Sequence, residues 1–245
     1  MTIFLALSLF FFIIYFTQTF SKSMGIEKIY SFAFINTFSY LILFIPVLIG
    51  LSLQVSSVLL ITLMLSYFFI ERGSFKEWLG QLRYWAFKDS AIYLVVIILP
   101  LVILIPILGL RFWDEYNFAL FAKNLWYSNG LLLKTPVYQI EYFQMGTFFW
   151  GFFNSFSKVF SSWGGGILSF FFLVSSLYLL LKDKFLVLVA TLLSMICFDR
   201  VYFITAYGDG IIACTFSIFV YSLLKEDKKY KHLGIFFTTL LVCFS

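Results

Sequence analysis

Carboxylates standing beside aromatic rings at the end of an apolar run have the most chemistry to offer in this chain. Trp113-Asp114-Glu115-Tyr116 follows directly on the apolar stretch 90–110, and Trp126, Tyr127, Tyr138, Glu141 and Tyr142 lie further along the same segment. Rings can pack on the C–H faces of a sugar while carboxylates accept its hydroxyl protons, so this mixture suits sugar recognition. The plainer alternative is a solvated loop in which Asp114 or Glu115 caps a helix and the rings form an interfacial belt. Asp209 stands between Gly208 and Gly210, which permit close backbone approach to a ligand, or simply a tight turn. Asp199-Arg200 reads as an ion pair at a helix end, or as a phosphate-binding Arg with an orienting Asp. Ionisable groups at membrane depth are costly unless solvated or paired, which makes all of them functional candidates.

The elements that must position these groups follow from composition. Hydrophobic residues make up 62% of the 245, charged residues 12%, and the mean hydropathy is +0.99. A soluble domain carries about 25% charge. The deficit, with 35 Phe, implies a bilayer as solvent. Peptide groups in hydrocarbon must pair internally, so spans are helices or closed barrels. The long unbroken apolar runs favour helices over the short alternating strands of a barrel. The expected fold is all-α, a polytopic transmembrane helical bundle with juxtamembrane helices in an extracytoplasmic loop. The formal charge of +5 does not imply nucleic acid, because the basic residues sit in short connections between apolar runs. Cys197, Cys214 and Cys243 lie inside apolar stretches without metal or disulfide spacing and read as packing residues. His232 reads as a loop or interface residue.

Along the chain, 3–20 is a first span, with no basic leader ahead of it. Residues 29–70 are free of charge for long enough to cross twice, with a turn expected near Gly50. A charged connection, 71–89, leads to a fourth span at 90–110, bent or broken by Pro100 and Pro106. The stretch 142–157 is uncharged but short and aromatic, and reads as an interfacial or partly inserted helix, with a full span as the alternative. Runs at 159–181, 185–204 and 211–224 cross in turn. The last run, 233–245, stops mid-span, so the chain is expected to be truncated there. Two regions are expected: a three-span module, 1–89, and a transmembrane core, 90–245.

Charge bias tests the layout. With 142–157 held at the interface, Lys22, Lys28, Arg72, Lys76, Arg83, Lys88, Lys182, Lys184, Lys225, Lys228, Lys229 and Lys231 share one side. That is 12 of the 17 basic residues, so this side is cytoplasmic. A spanning 142–157 puts the basic run 225–231 outside, against the rule. In the favoured layout Asp114, Glu115, Glu141, Asp199 and Asp209 share the extracytoplasmic face.

Residues 111–126 resemble the first extracytoplasmic loop of the GT-C superfamily, polytopic glycosyltransferases that use polyprenyl-phosphate-linked sugars. The chain is similar to the N-terminal portion of their bacterial dolichyl-phosphate-mannose-protein-mannosyltransferase-like members. Asp114-Glu115 matches the family's acidic pair. Glu141-Tyr142 matches a second landmark loosely, without its prolines. Tyr207-Gly208-Asp209 resembles a Tyr-Ala-Asp motif in the second loop, with Gly for Ala and no following Pro. The resemblance spans about 90–224, and the three spans before it look like an extra module. It implies a carboxylate base at Asp114, with Glu115 next, and substrate binding by Trp113, Tyr116, Lys123, Glu141, Tyr142, Arg200, Tyr207 and Asp209. It implies an optional divalent cation on Asp114 and Asp209, and no other cofactor. The expected partners are the lipid bilayer, a polyprenyl-phosphate-linked sugar and a glycan, lipid or protein acceptor, in a multi-pass protein of the bacterial cytoplasmic membrane with its active face outward. Two competing readings remain. One is a transporter or flippase for lipid-linked saccharide, which Pro100 and Pro106 favour and the nearly charge-free spans disfavour. The other is a polysaccharide polymerase or ligase of different fold, or a non-catalytic assembly subunit.

Overall fold

The computed structural model describes residues 2–71 and 145–156, together with individual positions within 73–80, 177–193, 216–228 and 231–239. The described residues form helices, with no strand among them. Four are continuous: α1 (Thr2–Met24), α2 (Lys28–Leu48), α3 (Leu53–Ile70) and α4 (Met145–Asn154). The spans expected at 90–110, 159–181 and 185–204 lie wholly or largely outside the described residues.

Glycine in the left-handed region closes both hairpins. Gly25 (φ 63°) follows the last turn of α1, and the amide of Ile26 reaches back to Ser21 O at 3.2 Å. Gly50 (φ 94°) does the same after α2, with Leu51 N on Pro46 O at 2.9 Å and Gly50 N on Val47 O at 3.1 Å. In each turn a residue with a Cβ is disfavoured and the last carbonyls of the helix find donors. The turn expected near Gly50 therefore falls at that residue. Ser52 then starts α3, its hydroxyl accepting from Val55 N at 3.3 Å.

Among the described helices, α2 packs against α1, α3 and α4. Its Phe32, Ala33, Ile35, Tyr40 and Leu43 are buried against Leu9, Phe12 and Ile13 of α1, Leu60 of α3 and Phe148, Phe152 and Phe153 of α4. Rings knit α1 to its neighbours. Phe16, Phe20, Phe34 and Phe38 form an offset-stacked ladder across α1 and α2, with centroids 5.0–5.8 Å apart along the chain of contacts. Tyr15 stacks on Phe68 at 5.2 Å and donates its phenol proton to Glu71 O at 2.9 Å. Thr19 and Tyr67 share a further hydroxyl contact between α1 and α3.

The helix expected at the interface, α4, is ten residues long, about 15 Å, half a hydrocarbon core. It does not lie on the bundle's outside. Phe148, Phe149, Phe152 and Phe153 are all buried. Phe148 meets Tyr40 and Phe44 edge-on, each at 5.5 Å. Ser155, in the turn that follows, lies 2.8 Å from Ser57 near the start of α3. These contacts seat α4 in the half of the bundle that contains Gly50. They also put residues on both sides of the expected 89/90 boundary in one apolar core.

α2 and α3, 21 and 18 residues long, are each long and apolar enough to cross a membrane. They differ in how they are covered. α3 buries only the stripe Leu53, Ser56, Ser57, Leu60 and Met64. Its remaining faces expose large apolar residues, including Leu65, Phe69 and Ile70, the last two at 75% and 78%. Cutting Phe148 to Ala should therefore cost about 3–5 kcal/mol in an unfolding titration in mixed micelles. Phe69→Ala should change stability by less than about 0.5 kcal/mol. Equal losses at the two positions would mean that α3's outer face is covered by protein.

Candidate functional site

The residues carrying the expected chemistry, Trp113, Asp114, Glu115, Tyr116, Lys123, Glu141, Tyr142, Arg200, Tyr207 and Asp209, lie outside the described residues. So does the pair named for a divalent cation, Asp114 and Asp209. Among the described residues no group of three or more His, Cys, Asp and Glu is arranged to hold a metal.

The described residues assemble a different polar site, at the opposite end of the bundle from Gly50. Glu27 occupies the N-cap position of α2 in extended backbone (φ −64°, ψ 145°), and its carboxylate does not cap the helix. That frees both oxygens. Oε1 accepts from the Lys225 ammonium at 2.7 Å, and Oε2 accepts from the Tyr221 hydroxyl at 3.0 Å. The same ammonium lies 5.0 Å from the centre of the Tyr221 ring. The pair is about 30% exposed, its side chains at 31% and 29%. The Glu27 carboxylate, then the Tyr221 hydroxyl, raise the Lys225 pKa above its ordinary value of 10.5. A carboxylate with both oxygens engaged this way is a clamp, poorly placed to take a substrate proton.

Packing beneath the clamp is close. Ile29 and Tyr30 of α2 bury against Ile218, with Ile26, Leu180 and Tyr221 around them. Gly234 is buried where a Cβ would strike the Ser222 side chain and lie 2.7 Å from Tyr30 Cε1. Two chain segments meet there at a distance only a residue without a side chain allows. Leu180 brings the next connection to the same end, where Asp183 accepts from Leu186 N at 2.9 Å and so caps the following helix.

A second polar contact sits inside the bundle. Ser57 and Ser155 lie 2.8 Å apart, and each also reaches a carbonyl of its own chain, Leu53 O at 2.7 Å and Gly151 O at 2.9 Å. Each hydroxyl has one proton, so at any moment one donates across the helices while the other bonds back to its own carbonyl.

In the sequence Lys225 marks sidedness, while Glu27, Tyr221, Ser57, Ser155 and Gly234 belong to no motif that singles them out. The signal available for Glu27 was its place as the one acid of a connection otherwise carrying Lys22 and Lys28. Its partner, 198 residues away, has no local signature.

Two outcomes follow from this geometry. Gly234→Ala should destabilise the protein by about 1–3 kcal/mol, because the new Cβ forces the segments apart. Gly73→Ala, with open space around its Cβ, should be neutral or mildly stabilising. Lys225→Met should cost about 0.5–1 kcal/mol at neutral pH. Because the folded-state pKa is raised, this contribution is fully present below 10.5 and is lost only as pH climbs beyond that value. The wild-type and Lys225→Met stabilities, measured across pH, should therefore differ by a constant amount from pH 7 to about 10 and converge above it. A difference that stays flat as pH climbs to about 12 would show that Lys225 gains no such partner.

Set against known proteins, the chain matches no protein-family model, no curated protein and no solved structure.

Proposed function

We propose that this chain is a multi-pass membrane protein that transfers a sugar from a polyprenyl-phosphate donor to an acceptor at the extracytoplasmic face. The membrane part is supported by α3, whose outer faces expose large apolar side chains. A helix hidden in a soluble core has no such faces, and a patch of this size in water marks a site of association.

The single observation that carries the sidedness is the Glu27–Lys225 ion pair. Two residues in direct contact at a membrane edge are separated by an even number of crossings. The expected runs between them, with α2 and α3 counted first, number six when 142–157 does not cross and seven when it does. The pair thus supports the layout in which 142–157 stays on one side, and so do α4's ten-residue length and its seat near Gly50. In that layout the loop 111–157 and the connection around Asp209 emerge on the face opposite Lys225. Asp114, Glu115, Glu141 and Asp209 then share one aqueous face, as the chemistry requires.

At that face Asp114 takes the proton of the acceptor hydroxyl as its oxygen bonds to the anomeric carbon. The bond from that carbon to the lipid phosphate breaks, and its electron pair leaves on the phosphate. Glu115 and Asp209 stabilise the positive charge that develops on the sugar ring. Arg200 and Lys123 hold the phosphate. Glu141, Tyr142, Trp113, Tyr116 and Tyr207 line the acceptor and sugar positions.

The test is release of polyprenyl phosphate from a panel of polyprenyl-phosphate hexoses by the full chain in vesicles, with lipid and glycan acceptors present. Asp114→Asn should lower turnover by about 10²–10⁴-fold while leaving insertion and helix content intact. Single cysteines placed at 114 and 209 should both react with an impermeant reagent from the side that leaves a cysteine at 228 protected. Full turnover in Asp114→Asn would end the assignment of the base. Opposite labelling of 114 and 209 would end the shared-face reading and favour a transporter.

A further inference from the structure

We infer that the Glu27–Lys225 end of the bundle is a binding surface for anionic phospholipid headgroups. The inference rests on the membrane reading above and is independent of the transfer chemistry. In the favoured layout the five basic residues Arg111, Lys123, Lys134, Lys158 and Arg200 are matched on their face by five acids, Asp114, Glu115, Glu141, Asp199 and Asp209. The whole formal charge of +5 therefore belongs to the other side. Most of it is concentrated in three connections, 22–28, 182–184 and 225–231, which together hold eight lysines and four acids. Described residues within or next to each connection meet at one end of the bundle. Glu27 binds Lys225, and Leu180 packs on Ile29, Tyr30 and Ile218.

The clamp decides which charges remain available. Glu27, the one acid of the α1–α2 turn, has both oxygens committed to Lys225 and Tyr221, so it neutralises neither of its lysine neighbours. Lys22, Lys28 and Lys228 are exposed and Lys231 is half-buried, and none of the four makes an ion pair among the described residues. The acids nearest them in the chain, Glu226 and Asp227, are exposed on the same segment and leave the cluster net positive. Lys22 lies in the last turn of α1, and Lys28 is the first residue of the apolar helix α2. Ammonium groups at the ends of apolar helices reach headgroup depth on flexible stems. Phosphodiester anions at that depth are the matching partner, and basic residues next to a membrane surface bind them additively.

The test uses the full chain purified in detergent and offered nanodiscs or mixed micelles of phosphatidylcholine with about 25% phosphatidylglycerol, with retained lipid quantified after washing. The expected result is at least roughly tenfold enrichment of phosphatidylglycerol, falling severalfold as NaCl rises from about 0.05 to 0.5 M. Lys22, Lys28, Lys228 and Lys231 changed together to Gln should bring the enrichment close to unity, while the same four changed to Arg should keep it. Equal retention of both lipids by the folded wild type, at low salt, overturns the inference. So does enrichment that survives the Gln variant or is indifferent to salt, and the salt arm needs no variant to fold. If the chain instead stays soluble without detergent, the membrane reading falls with it; a chain that needs detergent but shows no lipid preference fails on the headgroup surface alone.

Discussion

A peptide group surrounded by apolar side chains has no water to bond, and the organisation of this protein follows from that constraint. It forces the described apolar runs into helices, because only a helix pairs its own backbone along its length. It also makes helix ends the costly places, where the last carbonyls need donors. The two hairpins meet this need with Gly25 and Gly50, where the amides of Ile26, Leu51 and Gly50 turn back onto the carbonyls of Ser21, Pro46 and Val47. Side chains obey the same rule. Asn36, Thr37, Ser57 and Ser222 all donate to carbonyls of their own helices, at 2.7–2.9 Å, before any partner elsewhere is considered.

With the backbone satisfied locally, packing holds the helices together. Close fit between apolar side chains carries the association. Rings supply much of it here. The ladder from Phe16 to Phe38 and the Tyr15–Phe68 stack join α1 to α2 and α3, and four phenylalanines of α4 fill the half near Gly50. Gly234 shows the complementary solution, a missing side chain that lets Ser222 and Tyr30 approach. Large rings and a bare backbone are two ways of leaving no gap.

The ion pair among the described residues is partly exposed, so water is available to the groups it leaves over. Glu27 and Lys225 join segments 198 residues apart, and the tyrosine between them binds the carboxylate and faces the ammonium. An exposed ion pair of this kind contributes modestly to stability. Its larger consequence is topological, since it brings the first hairpin and the late basic segment to one side. The proposed sugar transfer needs that parity, because it sets the two segments carrying Asp114 and Asp209 on one face.

Composition and run length alone determined that the described residues are helical and that α2 and α3 are long and apolar enough to cross a membrane, because both depend on local hydropathy and backbone pairing. The turn at Gly50 was legible for the same reason: a flexible residue interrupts a long apolar run after Pro46. The lysine asymmetry was also legible, as it is a property of connections. The acidic residues of the loops around 114 and 209 were picked out by type and motif, and their expected grouping on one face came from the distribution of basic residues among connections, since side-chain geometry is not written in spacing. What only the tertiary structure decided are the contacts between segments distant in sequence. The uncharged stretch containing α4 could be read as interfacial or spanning, and its burial against Tyr40, Phe44 and Ser57 depends on a cavity built by three other helices. Glu27 looked like one more charge in a turn until Lys225 and Tyr221 came beside it. A residue's type sets what it can bond, whereas the partner it meets is chosen by how the helices pack.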